Sequence, residues 1–244
     1  MWSIWIGYDS QEASAFAIAR FSIRKFDRTI PIQGLVVDDL RKRGLYTRPT
    51  EYRINSDGRR QLWDVISEAP MSTEFAISRF LTPHLALSGW ALFVDSDVMF
   101  LRHPARLFEI VRDSQEKALW CVKHDFDAPV NTSKMDGMVQ TSYSRKNWSS
   151  VMLFNCSHPS NKNLTVDLVN TVPGRDLHRF CWLKDNEIGE LPLEWNYLVG
   201  YSKLNGSKPA LVHFTHGLPD LAGYEDQEYA DEWRAMRPYA VGAL

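Results

Sequence analysis

Apolar residues gather in short runs at Trp2 to Gly7, Ile30 to Val37, Trp90 to Val94, Ala118 to Lys123, Val151 to Cys156 and Ala210 to Phe214. Runs of this length, rich in β-branched and aromatic residues, predict strands. Between them, helical spacing predicts helices over Glu12 to Phe26, Thr73 to Leu87 and Pro104 to Val111. In the second of these, Phe75, Phe80, Leu81, Leu85 and Leu87 approach one face, with Thr73 as N-cap and Gly89 as the stop. Strands alternating with helices imply an α/β fold whose sheet is largely parallel at its start. The chain shows no internal repeat, low-complexity segment or linker, so one domain over residues 1–244 is expected.

Composition adds exclusions. With 44% hydrophobic and 24% charged residues among 244, the chain is neither disordered nor collagen-like. Its net charge of −2 does not mark the whole molecule as a binder of nucleic acid or membrane. Locally the picture changes: Arg41, Lys42, Arg43, Arg48, Arg53, Arg59 and Arg60 face only Glu51 and Asp57 in the same stretch. Arg41 to Arg60 therefore reads as a surface loop, either solvated or anchoring an anionic acceptor. Asp220 to Glu232 is acidic in turn. No apolar run reaches the roughly 18 residues of a membrane helix. Hydrophobic alternation already under way at Trp2, without a basic leader, and three widely spaced cysteines read as reduced core thiols (Cys121, Cys156, Cys181) predict a cytoplasmic location.

Three constellations carry candidate chemistry. The strand Trp90 to Val94 runs into Asp95-Ser96-Asp97. In extended chain, carboxylates two residues apart point the same way about 6.5 Å apart, and can share a hard octahedral cation beside phosphates. With 18 aspartates in the chain about one such pair arises by chance, and Asp125 and Asp127 form another. What singles out Asp95 and Asp97 is their place at the carboxyl end of a buried strand, where α/β folds bind ligands. The second constellation is His213, in the apolar run Ala210 to Phe214; such a histidine is either a hydrogen-bonded core residue or a ligand. Third are Asp185 and Asn186, which precede Leu191-Pro192-Leu193-Glu194-Trp195-Asn196 and taken alone could be a surface turn.

Taken in order, Gly7-Tyr8-Asp9, Ser78-Arg79-Phe80-Leu81, Leu92 to Val98, Ser149 to Asn155, Asp185 to Ile188, Leu191 to Asn196 and Leu211 to Phe214 resemble the glycosyltransferases of family 8, the glycogenin and lipopolysaccharide galactosyltransferase group. The likeness covers most of the chain and implies the GT-A fold: a Rossmann-like mixed sheet flanked by helices. It implies a retaining transfer of sugar from a nucleotide-diphosphate donor, UDP-linked by analogy, to a hydroxyl of a saccharide or glycolipid. Asp95, Asp97 and His213 would hold Mn²⁺ or Mg²⁺. Tyr8, Asp9, Arg79, Ser96, Ser150 and His216 would bind the donor, and Asp185, Asn186 and Arg79 would stand at the reacting centre. Two departures mark this chain. Where the family places Gly and then Lys-Pro-Trp after the His-Phe pair, this chain has Thr215-His216-Gly217-Leu218-Pro219-Asp220 with no lysine, leaving His216, Lys134 or Arg145 to supply a phosphate cation, and Asn186 replaces a glutamine. The segment from Lys134 to Trp148 lacks a family counterpart and reads either as a lid or acceptor loop or as a purely structural segment. Alternatives are glycosylation of hydroxymethylated DNA through Arg41 to Arg60, a nucleotidyltransferase, and a non-catalytic nucleotide-sugar-binding protein.

Overall fold

A computed structural model describes residues 2–124, 145 and 147–241. Asp125, Asp127 and Lys134, and most of the candidate lid, lie outside the described residues. The strands are β1 (Trp2–Gly7), β2 (Ile32–Leu35), β3 (Thr50–Ile54), β4 (Arg60–Asp64), β5 (Ala69–Pro70), β6 (Trp90–Val94), β7 (Val98–Phe100), β8 (Leu119–Cys121), β9 (Val151–Asn155), β10 (Ile188–Glu190), β11 (Tyr197–Leu198) and β12 (Leu211–His213). The α-helices are α1 (Ala13–Arg24), α2 (Val37–Lys42), α3 (Thr82–Ala86), α4 (Ala105–Val111), α5 (Val166–Thr171), α6 (Gly174–His178) and α7 (Ala230–Val241).

Six strands form a mixed sheet in the order β10-β8-β9-β6-β1-β2. Strands β1, β2 and β6 run parallel, as the alternating pattern predicts, and β9 is antiparallel to both β6 and β8. The central strands are buried on both faces, which explains why β6 and β9 read as continuous apolar runs. The period of two sorts their side chains. Ile4, Ile6, Leu92, Val94, Val151 and Leu153 pack with Phe16 and Ile23 of α1 and Leu107 and Val111 of α4. Phe93, Leu119, Met152 and Phe154 pack on the other face with Phe75, Phe80, Val169 of α5 and Leu177 of α6. The fold is the expected mixed α/β arrangement with a central sheet flanked by helices, accompanied by two smaller sheets, β11-β12-β7 and β3-β4-β5.

Several expectations are corrected. Residues Thr73 to Leu87 do not form one helix: a 3₁₀ turn over Ser78–Leu81 leads into α3. Pro83 has no N–H to give to the Arg79 carbonyl, and the Thr82 hydroxyl donates to that carbonyl instead at 2.8 Å. Arg41 to Arg60 is no loop: it contains the end of α2, strand β3 and the turn into β4. Arg48 is buried, not displayed; its Nε and Nη2 donate to Asp64 Oδ1 and Oδ2 at 2.7 and 2.6 Å, and Nη1 donates to the Val169 and Val172 carbonyls. Among the other cations of that stretch, Arg53 pairs with Glu51 and lies over the Trp63 ring, and Arg60 lies over Tyr52. Of the three cysteines only Cys121 is a core thiol, Cys156 is half-buried and Cys181 is exposed. No helix among the described residues is long and apolar enough to cross a membrane.

Candidate active site

Strand β6 ends at Val94, and Ser96 and Asp97 turn the chain before β7 begins at Val98. The turn replaces the extended geometry expected for Asp95-Ser96-Asp97. It moves the chain out of the large sheet and into the small one, where β7 pairs antiparallel with β12 and sets His213 opposite Val98. The Phe214 N–H donates to the Asp97 carbonyl at 2.9 Å and the Asp95 N–H to the Ser150 carbonyl at 3.0 Å, so both ends of the turn are pinned. Ser96 points elsewhere: its hydroxyl donates to Glu12 Oε2 at 2.7 Å, tying the turn to the start of α1.

The result is a cluster of Asp95, Asp97 and His213 whose ligand atoms lie within 4.8 Å of one another. Asp97 and His213 are buried, with His213 Nε2 at 3.2 Å from Asp97 Oδ1. The other ring nitrogen, Nδ1, lies 3.0 Å from Asn196 Oδ1, an acceptor, so the Nδ1 proton belongs in that bond. The Nε2 nitrogen faces the Asp97 carboxylate. Two carboxylates and one imidazole form a donor set that suits Mn²⁺ or Mg²⁺ beside phosphate oxygens, so the residues fit the implied metal.

Arg79 completes the centre. It is buried with its guanidinium over the rings of Phe75 and Phe93, 5.2 and 5.0 Å from their centroids, and its Nη1 donates to the Ser149 carbonyl at 2.9 Å. The same Nη1 is 2.7 Å from Asp95 Oδ1. Behind it, Ser149 Oγ lies 2.7 Å from His178 Nδ1. Desolvation of the His178 ring, aided by the Arg79 and Arg48 guanidiniums, holds it well below the ordinary imidazole value, so it is neutral at physiological pH.

The remaining sequence candidates divide. Tyr8 and Asp9 follow β1, whose last turn of chain lies beside the end of β6. Tyr8 is half-buried with its ring edge-on to Phe16. Asp9 is buried and accepts the Gln11 and Glu74 N–H groups, each at 2.8 Å, so its carboxylate clamps two chain segments together at the strand end. His216 is half-buried, stacks on Tyr201 at 4.4 Å and lines a small pocket with Asp97, Glu12 and Phe214. The Ser150 hydroxyl donates to the Asn147 carbonyl and accepts from Asn196, and is thereby engaged within the protein. Arg145 reaches Asp185 and the Arg179 carbonyl and lies over Trp148, not over the acidic cluster.

Asp185 and Asn186 lie in the 3₁₀ turn Asp185–Glu187 that leads into β10. The Asn186 carbonyl accepts from Lys117 Nζ, and the exposed Asp185 pairs with Arg145, whose guanidinium lies over Trp148 in the turn that precedes β9. Neither is one of the three residues of the cluster. Conversely, Glu12, Asn196 and Ser149 hold site residues in place: Asn196 and Ser149 stand inside stretches quoted for the resemblance but were given no role there, and Glu12 was not marked, since its partner Ser96 is far along the chain.

No family model matches the sequence. Protein CDI of Arabidopsis thaliana is 44% identical over 237 residues, which cover 94% of this chain and 83% of that protein. Among solved structures, the glycosyltransferase GlyE of Streptococcus pneumoniae TIGR4 superposes with a TM-score of 0.60 at 14% identity, over 99% of this chain and 62% of GlyE. The bifunctional WbbM glycosyltransferase gives 0.59 at 16% identity, over 98% of this chain and 50% of WbbM. This chain therefore spans less than two thirds of either. The galactosyltransferase LgtC, solved with donor and acceptor sugar analogues, gives 0.55 at 11% identity over 98% of this chain and 96% of LgtC. At these identities the likeness is one of fold, and the fold is that of GT-A glycosyltransferases. By its 44% identity over nearly its whole length, the chain belongs to the family of Protein CDI.

Proposed function

We propose that the chain is a metal-dependent glycosyltransferase, a single catalytic domain that moves a sugar from a nucleotide-diphosphate donor, UDP-linked, to a hydroxyl of a saccharide or glycolipid acceptor with retention of anomeric configuration. The carrying observation is the Asp95, Asp97 and His213 cluster at the carboxyl end of β6, in the GT-A fold and with Arg79 beside it. Retention and the UDP moiety rest on the sequence resemblance to family 8.

In this reading Asp95, Asp97 and His213 hold Mn²⁺ or Mg²⁺. The ion supplies Lewis-acid stabilisation of the charge that grows on a departing diphosphate. Arg79 fixes Asp95 through one oxygen and adds a positive charge at the centre. Glu12 holds the Ser96 turn so that Asp95 and Asp97 converge. The ends of β1 and β2, around Tyr8, receive the nucleoside, as ligands settle at strand carboxyl ends in α/β sheets. His216, beside Asp97 in the pocket, stands in the place of the family's phosphate-binding lysine. The acceptor proton passes to the leaving phosphate, so no further carboxylate is needed as general base.

The test is nucleotide release from a panel of nucleotide sugars with and without Mn²⁺, for the wild type and Asp97→Asn. We expect UDP release that requires metal and falls by about 100-fold or more in the variant, the scale of several kcal/mol that such an ion contributes. The variant's melting curve should remain cooperative. A wild type that neither binds nor cleaves any nucleotide sugar in the presence of Mn²⁺ would refute the proposal.

A further inference from the structure

We propose that Asn196 is a positioning residue for the metal centre: its amide orients the His213 ring and keeps the ring proton on Nδ1, so that Nε2 is the nitrogen offered to the ion. The inference rests on the metal reading above and adds to it a residue that neither the sequence motifs nor the comparisons assign.

The argument is one of hydrogen-bond inventory. Asn196 is fully buried at the end of the 3₁₀ turn Leu193–Asn196. Its Nδ2 lies 3.0 Å from Ser150 Oγ and 3.3 Å from the Asn147 carbonyl. The Ser150 hydroxyl gives its own proton to that same carbonyl at 2.7 Å, so its lone pairs face the amide. Both neighbours are therefore acceptors, and only the NH₂ end of Asn196 can face them. The carbonyl end is thereby directed at His213 Nδ1, 3.0 Å away. An acceptor at that place selects the Nδ1–H tautomer and leaves the lone pair on Nε2, the atom 3.2 Å from Asp97 Oδ1. Metal-bound histidines are regularly fixed in this way through their second nitrogen, and removal of the fixing group costs about 10–100-fold in metal affinity. The path also accounts for Ser150: its hydroxyl sets the amide, the amide sets the ring, and the ring meets the metal.

Three proteins decide the matter: wild type, Asn196→Leu, which removes the acceptor, and Asn196→Asp, which keeps an acceptor against Nδ1. Mn²⁺ affinity is read from the electron paramagnetic resonance of free Mn²⁺ in the presence of UDP. The tautomer is read from long-range proton–nitrogen correlations of ¹⁵N-histidine-labelled, metal-free protein at alkaline pH, with His213 assigned through His213→Gln. We expect the wild-type His213 proton on Nδ1, a loss of about 10–100-fold in Mn²⁺ affinity for Asn196→Leu, and recovery of most of that affinity in Asn196→Asp. A wild-type ring protonated on Nε2 instead overturns the proposal, and this measurement stands even where Asn196→Leu fails to fold. A folded Asn196→Leu that binds Mn²⁺ as tightly as the wild type overturns it alone. Absence of Mn²⁺ binding by the wild type overturns it together with the metal reading.

Discussion

Arg48 is the residue that most changes the picture drawn from charge alone. Buried and doubly bonded to Asp64, it also serves the carbonyls of Val169 and Val172 and the Ser67 hydroxyl, so every donor it carries is used. A buried ion pair adds little by itself, but removal of one partner strands a charge. Arg48→Met is therefore expected to lose about 3–5 kcal/mol in urea unfolding, and the double change with Asp64→Leu to regain most of it. A double mutant no more stable than Arg48→Met would exclude the stranded charge as the cause. The charge run from Arg41 to Arg60 gave no hint of this burial, since its cause lies in α5, more than a hundred positions on. Asp95 and Asp97 were legible for the opposite reason: an apolar strand that ends in acid declares its own context.

At the scale of elements, the close approach of the segment before the 3₁₀ turn to β1 supports the site. A side chain on Gly7 would place its Cβ 2.3 Å from the Phe75 ring, and the Arg79 guanidinium lies over that ring. Gly7→Ala must therefore push Phe75 aside, at a cost of about 1–3 kcal/mol for overpacking. We expect a melting temperature lower by several degrees, and a partial return when Phe75→Leu is added to make room. If the second change makes the loss worse, the contact is not the cause. The strands β1, β6 and β9 were readable as apolar runs, and α1 and α4 as helices. The β3–β4 pairing was hidden by the charges of both strands, and the Pro83 break by an apolar spacing that continued across it. The pairing of β7 with β12 has no local signal at all. It joins stretches far apart in sequence, and so the union of Asp97 with His213 could be inferred only through resemblance to a family.

For the molecule as a whole, two half-buried histidines, His178 and His124, lower stability in acid. His178 is held well below the ordinary value by desolvation and neighbouring guanidiniums, and His124 is lowered to about 4 by burial and by His213. The unfolded chain takes up these protons near pH 6.5 while the folded protein does not, so their effect is absent above that pH and grows as the pH falls below it. His124 alone amounts to about 3 kcal/mol by pH 4. Urea midpoints should hardly change from pH 8 to 7 and then drop toward pH 5, and His178→Gln should flatten that slope; an equal slope in the variant would remove His178 from the account. The antiparallel meeting of β7 and β12 has one more consequence, in time rather than in space. On a ribosome adding about 5–20 residues per second, Asp95 and Asp97 exist on the order of ten seconds before His213 is made. Strand β7 must wait for its partner, so the cluster of Asp95, Asp97 and His213 is complete only in the last stage of synthesis.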